Sequence, residues 1–400
     1  MDNEAPLPPE TQAWNTVWDK FEAANYAERV ALFYQAISDG VMDGEMAFEM
    51  LNEMYETAIQ QNQRAEFDRM IITLSEKMPA VFTAESHFML DWLITNALAN
   101  GRFQDIAQFA ITLAQRGDSN IDLTIATMDK LAYHGQLPIL MQMNAILYPL
   151  VKESKIILDF THDEIGLRAS NYIIFNYLDS SPDPVADNPV LQTQLNQYTA
   201  IDPEGLVEYM ADLNHKPLEP LTIAHFTFTP APHGEASRIP HEIMHNISEL
   251  SAQFLGYARR VEDIAYTKGH LVNNVLAQYL LERVTTAVAD WDAMGSTDPI
   301  TTPLLPDRAS VEGLIGTHLT VFNANPHKAA AIFELLPTWI RFVDGLGLVT
   351  DDEVKTAVSD LRGLDKMMQK LWTSYPSDPA PLQAAVTWTL GEKGTVNSKQ

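Results

Sequence analysis

The chain has 400 residues, 46% of them hydrophobic, enough to bury more than one core, so two or three subdomains are expected. A formal charge of −27, with 53 acidic side chains against 26 basic ones, argues against a nucleic-acid partner, because affinity for phosphate needs clusters of Lys and Arg. Cysteine is absent, which excludes disulfides, thiolate metal sites and cysteine nucleophiles together, and the expected compartment is the cytoplasm.

Residues 1–11 read as a loose proline-rich tail, without the basic start and apolar run of a secretory signal. Trp14, Val17, Trp18 and Phe21 begin a helical stripe, and Ala31, Phe33, Tyr34 and Ile37 continue it in a second helix closed near Gly40. This pair is expected to cap the helices C-terminal to it. From residue 1 to 60 the acidic side chains are opposed only by Lys20 and Arg29. Such an excess reads either as a solvated face or as a surface for a basic partner.

Three stretches can then be laid on one another: Thr57 to Leu74, Asn96 to Leu113 and Lys130 to Leu147. In their second helices the apolar positions recur at i, i+3, i+4 and i+7: Phe67, Met70, Ile71, Leu74; Ile106, Phe109, Ala110, Leu113; Leu140, Met143, Asn144, Leu147. The preceding helices match too, Met50, Leu51, Met54 and Ala58 lying over Met89, Leu90, Leu93 and Ala97. Gly101 and Gly135 occupy the same turn, where the first copy has Asn62. One hairpin cannot bury such a stripe alone, but stacked neighbours can.

With Gly101 followed by Phe103, Ile106, Ala110 and Leu113, and Gly135 by Leu137, Leu140, Asn144 and Leu147, the stretch 44–150 resembles the tetratricopeptide-type helical solenoid. The resemblance implies a right-handed stack of helical hairpins that holds a protein or peptide on its concave face, lined by the first helix of each hairpin. The fold class expected is therefore all-α: a hairpin solenoid over 12–180, a middle helical region over 181–293 and a C-terminal helical module over 308–390, with a polar tail at 391–400.

Thr161-His162-Asp163-Glu164 reads as a capping box opening a helix through Ile165, Ala169, Tyr172 and Tyr177. Ser180 to Pro189 is rich in breakers and marks a boundary. Asp202-Pro203 sets a cap and first-turn proline for a helix to about Leu213. Leu221 to Thr229 is the one strand candidate, although its alternation slips at His225.

The helix opening at Pro240 carries His241-Glu242-Ile243-Met244-His245. Histidines at i and i+4 point the same way and can share one zinc ion, while the glutamate between them can act as base toward a metal-bound water. The segment resembles the active-site helix of the zincin metallopeptidases, which implies His241 and His245 as ligands and Glu242 as general base. Glu262 and Asp263 stand near a plausible third-ligand spacing; His270 and Glu282 are further options. The apolar stripe Ile243, Ile247, Leu250 and Phe254 puts both imidazoles on the opposite side of the helix, toward solvent or a cleft. His215, His225, His233, His241 and His245 together could also hold zinc or nickel without catalysis.

Met294 to Pro306 reads as a second linker, and the last module runs through the stripes Val311, Leu314, Leu319, Phe322 and Trp339, Phe342, Val343, Leu346 to a second capping box at Thr350-Asp351-Asp352-Glu353. No stretch approaches the roughly 18 uninterrupted apolar residues of a membrane span. No glycine-rich phosphate loop and no Gly-x-Ser-x-Gly elbow occur. The reading favoured is a noncatalytic scaffold without cofactor that binds a protein or peptide; the alternative is a zinc-dependent hydrolase centred on His241, Glu242 and His245.

Overall fold

A computed structural model describes residues 9–117, 119–181, 184–199, 202–231, 238–320 and 323–390. The chain is all-α, with two minor ladders of two residues a side. In order, the helices are α1 (Pro9–Ala23), α2 (Tyr26–Asp39), α3 (Gly44–Gln60), α4 (Arg64–Lys77), α5 (Pro79–Ala84), α6 (Ser86–Ala99), α7 (Phe103–Ala114), α8 (Ile121–Tyr133), α9 (Leu137–Glu153) and α10 (Asp159–Ser180). Next come α11 (Pro189–Leu195), α12 (Pro203–Leu213), α13 (His241–Arg260), α14 (Tyr266–Ala293), α15 (Arg308–Thr317), α16 (Pro326–Gly345), α17 (Asp351–Asp360), α18 (Leu364–Trp372) and α19 (Ala380–Thr387). Strand β1 (Thr227–Phe228) pairs antiparallel with β2 (Ile300–Thr301), and β3 (Leu319–Thr320) with β4 (Asn323–Ala324).

The chain divides into two compact units, Met1–Thr124 with Trp372–Ala380, and Ile125–Leu371 with Pro381–Gln400. In the first, α2, α3, α4, α5, α6 and α7 pack as helical hairpins. Their core is the set expected from periodicity: Met50, Leu51, Met54 and Ala58 of α3, Phe67, Met70, Ile71 and Leu74 of α4, and Met89, Leu90, Leu93 and Ala97 of α6 are all buried. Helix α5, with no described counterpart between α7 and α8, explains why the first two copies align at a longer shift than the second and third.

The three equivalent turns close in the same way. Asn62, Gly101 and Gly135 have φ of 56°, 65° and 71°, left-handed values that end each first helix. In each, the next amide donates to the carbonyl five residues back: Gln63 to Ala58 at 2.6 Å, Arg102 to Ala97 at 2.8 Å and Gln136 to Leu131 at 3.0 Å. This is the hydrogen-bond pattern that satisfies the orphan carbonyls of a helix end. Asparagine tolerates the left-handed region better than other residues with a Cβ, which is why it can replace glycine in the first copy. A buried polar set reinforces this unit: Asn96 Nδ2 of α6 donates to Asp68 Oδ1 of α4 at 2.7 Å, Arg64 Nη1 donates to Asn96 Oδ1 at 2.8 Å, and Arg102 pairs with Asp68.

In the second unit α9 packs on α10, α12 on α13, α13 on α14, and α16 against α13, α14, α15 and α17. Helix α16 is buried over most of its length, from Ala329 to Val343. Two local expectations require correction. The helix expected to open at a Thr161 capping box starts earlier, at Asp159, with Leu158 at the N-cap and no side-chain cap. Glu164 does not reach back to Thr161, because it accepts from Arg168 Nε and Nη2 at 3.1 and 2.9 Å, and that guanidinium is itself held by the buried Asp129. The strand expected over 221–229 shrinks to Thr227–Phe228, because Ile223–Phe226 winds into a 3-10 turn at the point where the alternation slips. The Thr350 box does form, Thr350 N donating to Glu353 Oε2 at 2.8 Å and Glu353 N to Thr350 Oγ1 at 3.3 Å.

Candidate functional site

Helix α13 begins directly at His241, with Pro240 extended before it and no side-chain cap. The stripe behaves as its periodicity requires: Ile243, Ile247, Leu250 and Phe254 are buried, whereas His241, Glu242 and His245 are exposed. His241 sits in the first turn, where amides still lack partners within the helix. Glu262 lies beyond the other end of α13, about 30 Å along the axis from His241 at the ordinary helical rise. Its carboxylate accepts from Arg341 Nε and Nη2 at 2.7 and 2.8 Å and from Tyr257 at 3.2 Å. The structure therefore does not bring Glu262 to the histidines; a bidentate ion pair occupies it. His270 is buried among the rings of Tyr172 and Phe175, and Glu282 accepts from Gln278 on its own helix.

The other histidines are spent locally. His215 takes φ 56° to close α12 and lies against Tyr257, while His225 Nδ1 accepts from the Thr222 amide at 2.9 Å. His233 lies outside the described residues.

What the structure does bring to His245 is carboxylate. Glu208 of α12 and Glu249 of α13 each place an oxygen so that, with a ring nitrogen of His245, all three atoms lie within 4.8 Å of one another. Asp212, one turn beyond Glu208, is 2% exposed on the same contact. Burial, then Glu249, then Glu208 push its carboxyl up to about 7, opposed by a hydrogen bond from Gln253. Burial foremost, and Glu208 after it, also raise Glu249. The approach depends on Gly256: a Cβ there would stand 2.0 Å from the Asp212 carbonyl oxygen. These carboxylates escaped the sequence reading because nothing in a linear pattern pairs α12 with α13; their only trace is the i, i+4 spacing of Glu208 with Asp212 and of His245 with Glu249.

A second feature of the same unit lies in the stretch that reads as a linker. Residues 302–307 form a strap without regular secondary structure, bent at Leu305, with Thr302, Leu304 and Pro306 buried and Pro303 and Leu305 half-buried in alternation. The strap is pinned by the Thr302 amide on Phe226 O at 2.8 Å and by Trp339 Nε1 on Leu304 O at 2.8 Å. Between it and residues 347–360 opens a groove of about 1290 Å³ whose apolar lining includes Leu305 and Val349. Its charged lining is Asp307, Asp352, Glu353 and Asp360 against Arg283 and Lys355. Arg283 pairs with Asp307 and Lys355 with Asp352, whereas Glu353 accepts from Thr350 and Asp360 from the Arg308 amide, backbone and hydroxyl donors that leave their charge unneutralised. Among the described residues no helix is long and apolar enough to cross a membrane. Comparison with protein-family models, with curated proteins and with solved structures found no match for the chain.

Proposed function

We propose that the chain is a noncatalytic helical-repeat scaffold, built on tetratricopeptide-like hairpins and acting in the cytoplasm, that holds an extended protein or peptide segment. The groove beside the 302–307 strap carries this reading. At about 1290 Å³ it exceeds the roughly 300–1,000 Å³ of pockets that enclose small ligands, and its wall of alternately buried side chains suits a chain in extended conformation. The surplus of carboxylate at its rim, on a molecule of net charge −27, favours an occupant with apolar residues and at least one Lys or Arg. The three superposable turns support the hairpin assignment. Nothing favours the zinc hydrolase over the scaffold: His241 is at the helix tip, and Glu262 belongs to Arg341.

The test is selection of random displayed peptides on the full chain, followed by binding measurements with the enriched sequences. Expected are extended apolar sequences carrying a basic residue, whose binding is lost in Leu305→Arg while the far-ultraviolet spectrum stays unchanged. Failure to enrich any sequence, or binding indifferent to Leu305→Arg, would sink the proposal.

A further inference from the structure

We propose that Glu208 on α12, with His245 and Glu249 on α13, forms a site for one first-row divalent cation of the zinc or manganese type, distinct from the ligand pair that the His-Glu-x-x-His pattern suggests. One imidazole and two carboxylates with donor atoms within 4.8 Å of each other can meet a single ion, and this mixture of nitrogen and oxygen suits Zn²⁺ or Mn²⁺ better than the all-oxygen demands of Ca²⁺. The site is built on two packed helices rather than on a loop. Glu208 and Asp212 come one turn apart from α12, and His245, Glu249 and Gln253 come one turn apart from α13.

A second observation points the same way. Asp212, one turn from Glu208, brings a third carboxyl, 2% exposed, to the same helix contact. The Gln253 amide donates to Glu249 Oε1 at 2.9 Å and so fixes that ligand's orientation. Carboxylates gathered at a helix contact repel one another, and a bound cation removes that repulsion. Gly256 is what allows it, since the close approach of α13 to the end of α12 sets the separation of Glu208 and Asp212 from Glu249.

Untagged full-length protein, stripped of metal and dialysed against ZnCl₂ or MnCl₂, is assayed for bound ion per chain and titrated calorimetrically. One ion per chain is expected, with affinity reduced about tenfold or more in His245→Ala and in Glu249→Gln. His241→Ala, which touches the motif but not this ligand set, is expected to bind as the wild type does. His245 is exposed, so its replacement leaves the core intact, and circular dichroism verifies this. Absence of a stoichiometric ion overturns the proposal. So does binding that survives His245→Ala, or that falls as far in His241→Ala as in His245→Ala, which would move the ion to the histidine pair.

Discussion

Replacing Gly256 by alanine sets two effects of opposite sign against each other. Gly256 is in the interior of α13, where alanine is favoured by about 1 kcal/mol on helix propensity alone. Its added Cβ, however, would lie 2.0 Å from the Asp212 carbonyl oxygen and 3.0 Å from the Leu213 carbonyl carbon and oxygen. These are backbone atoms, so no side chain can rotate away; the helices must part by about 1.4 Å to reach an ordinary contact. Overpacking of this kind costs about 1–3 kcal/mol, and rigid partners on both sides place this case at the upper end. The net expectation is a loss of about 2 kcal/mol, or a melting temperature lower by about 4–8 °C. Gly313→Ala in α15 is the matched control: nothing lies within 4 Å of its Cβ position, and it should gain up to about 1 kcal/mol. Thermal unfolding by circular dichroism compares the two. If Gly256→Ala melts at or above the wild type, the tight α12–α13 contact is wrong, and with it the spacing of Glu208, Asp212 and Glu249.

Asn62→Gly should be near neutral, whereas Asn62→Ala should lose about 1–2 kcal/mol in urea unfolding from the left-handed strain; equal stability of the two would refute the shared turn geometry. Asp129→Ala removes the carboxylate that Arg168 shares with Lys328 at 3.4 Å and Asn325 Nδ2 at 2.6 Å, leaving the largely buried guanidinium with only the exposed Glu164 as counter-charge. A cost of about 3–5 kcal/mol is expected, and a variant melting within a degree of the wild type would show that water reaches the cluster. Burial first, and the Arg168 cation next, hold His270 down to about 4. Its unfolded form protonates near 6.5. Between these values the unfolded chain binds the extra proton, so stability falls as pH drops from about 6.5 to about 4 and is unaffected by this group at higher pH. His270→Phe should flatten that part of the curve; an unchanged slope would mean that the imidazole is already solvated.

The helical hairpins were legible because burial along a helix is a one-dimensional signal: Met50 to Ala58, Phe67 to Leu74 and Met89 to Ala97 declare their buried face by spacing alone. So were the stops at Gly40, Gly101 and Gly135, and Asn62 by alignment with them, since a left-handed turn is a local demand on one residue. Thr350-Glu353 closed its box for the same reason. Thr161-Glu164 carries the same signature and did not, because Arg168, fixed by Asp129 far back in the chain, claims Glu164.

Local chemistry thus determined the helices, their caps and the exposed placement of His241, Glu242 and His245, each of which depends on neighbours within about one turn. Tertiary structure alone decided which charged groups meet. It sent Glu262 to Arg341, set His245 beside Glu208 and Glu249, and turned a proline-bearing linker into the wall of a groove. The reason is range: hydrogen bonds and stripes inside a helix are written in consecutive residues, whereas the meeting of two carboxylates on different helices depends on how closely their backbones approach, here on the missing side chain of Gly256.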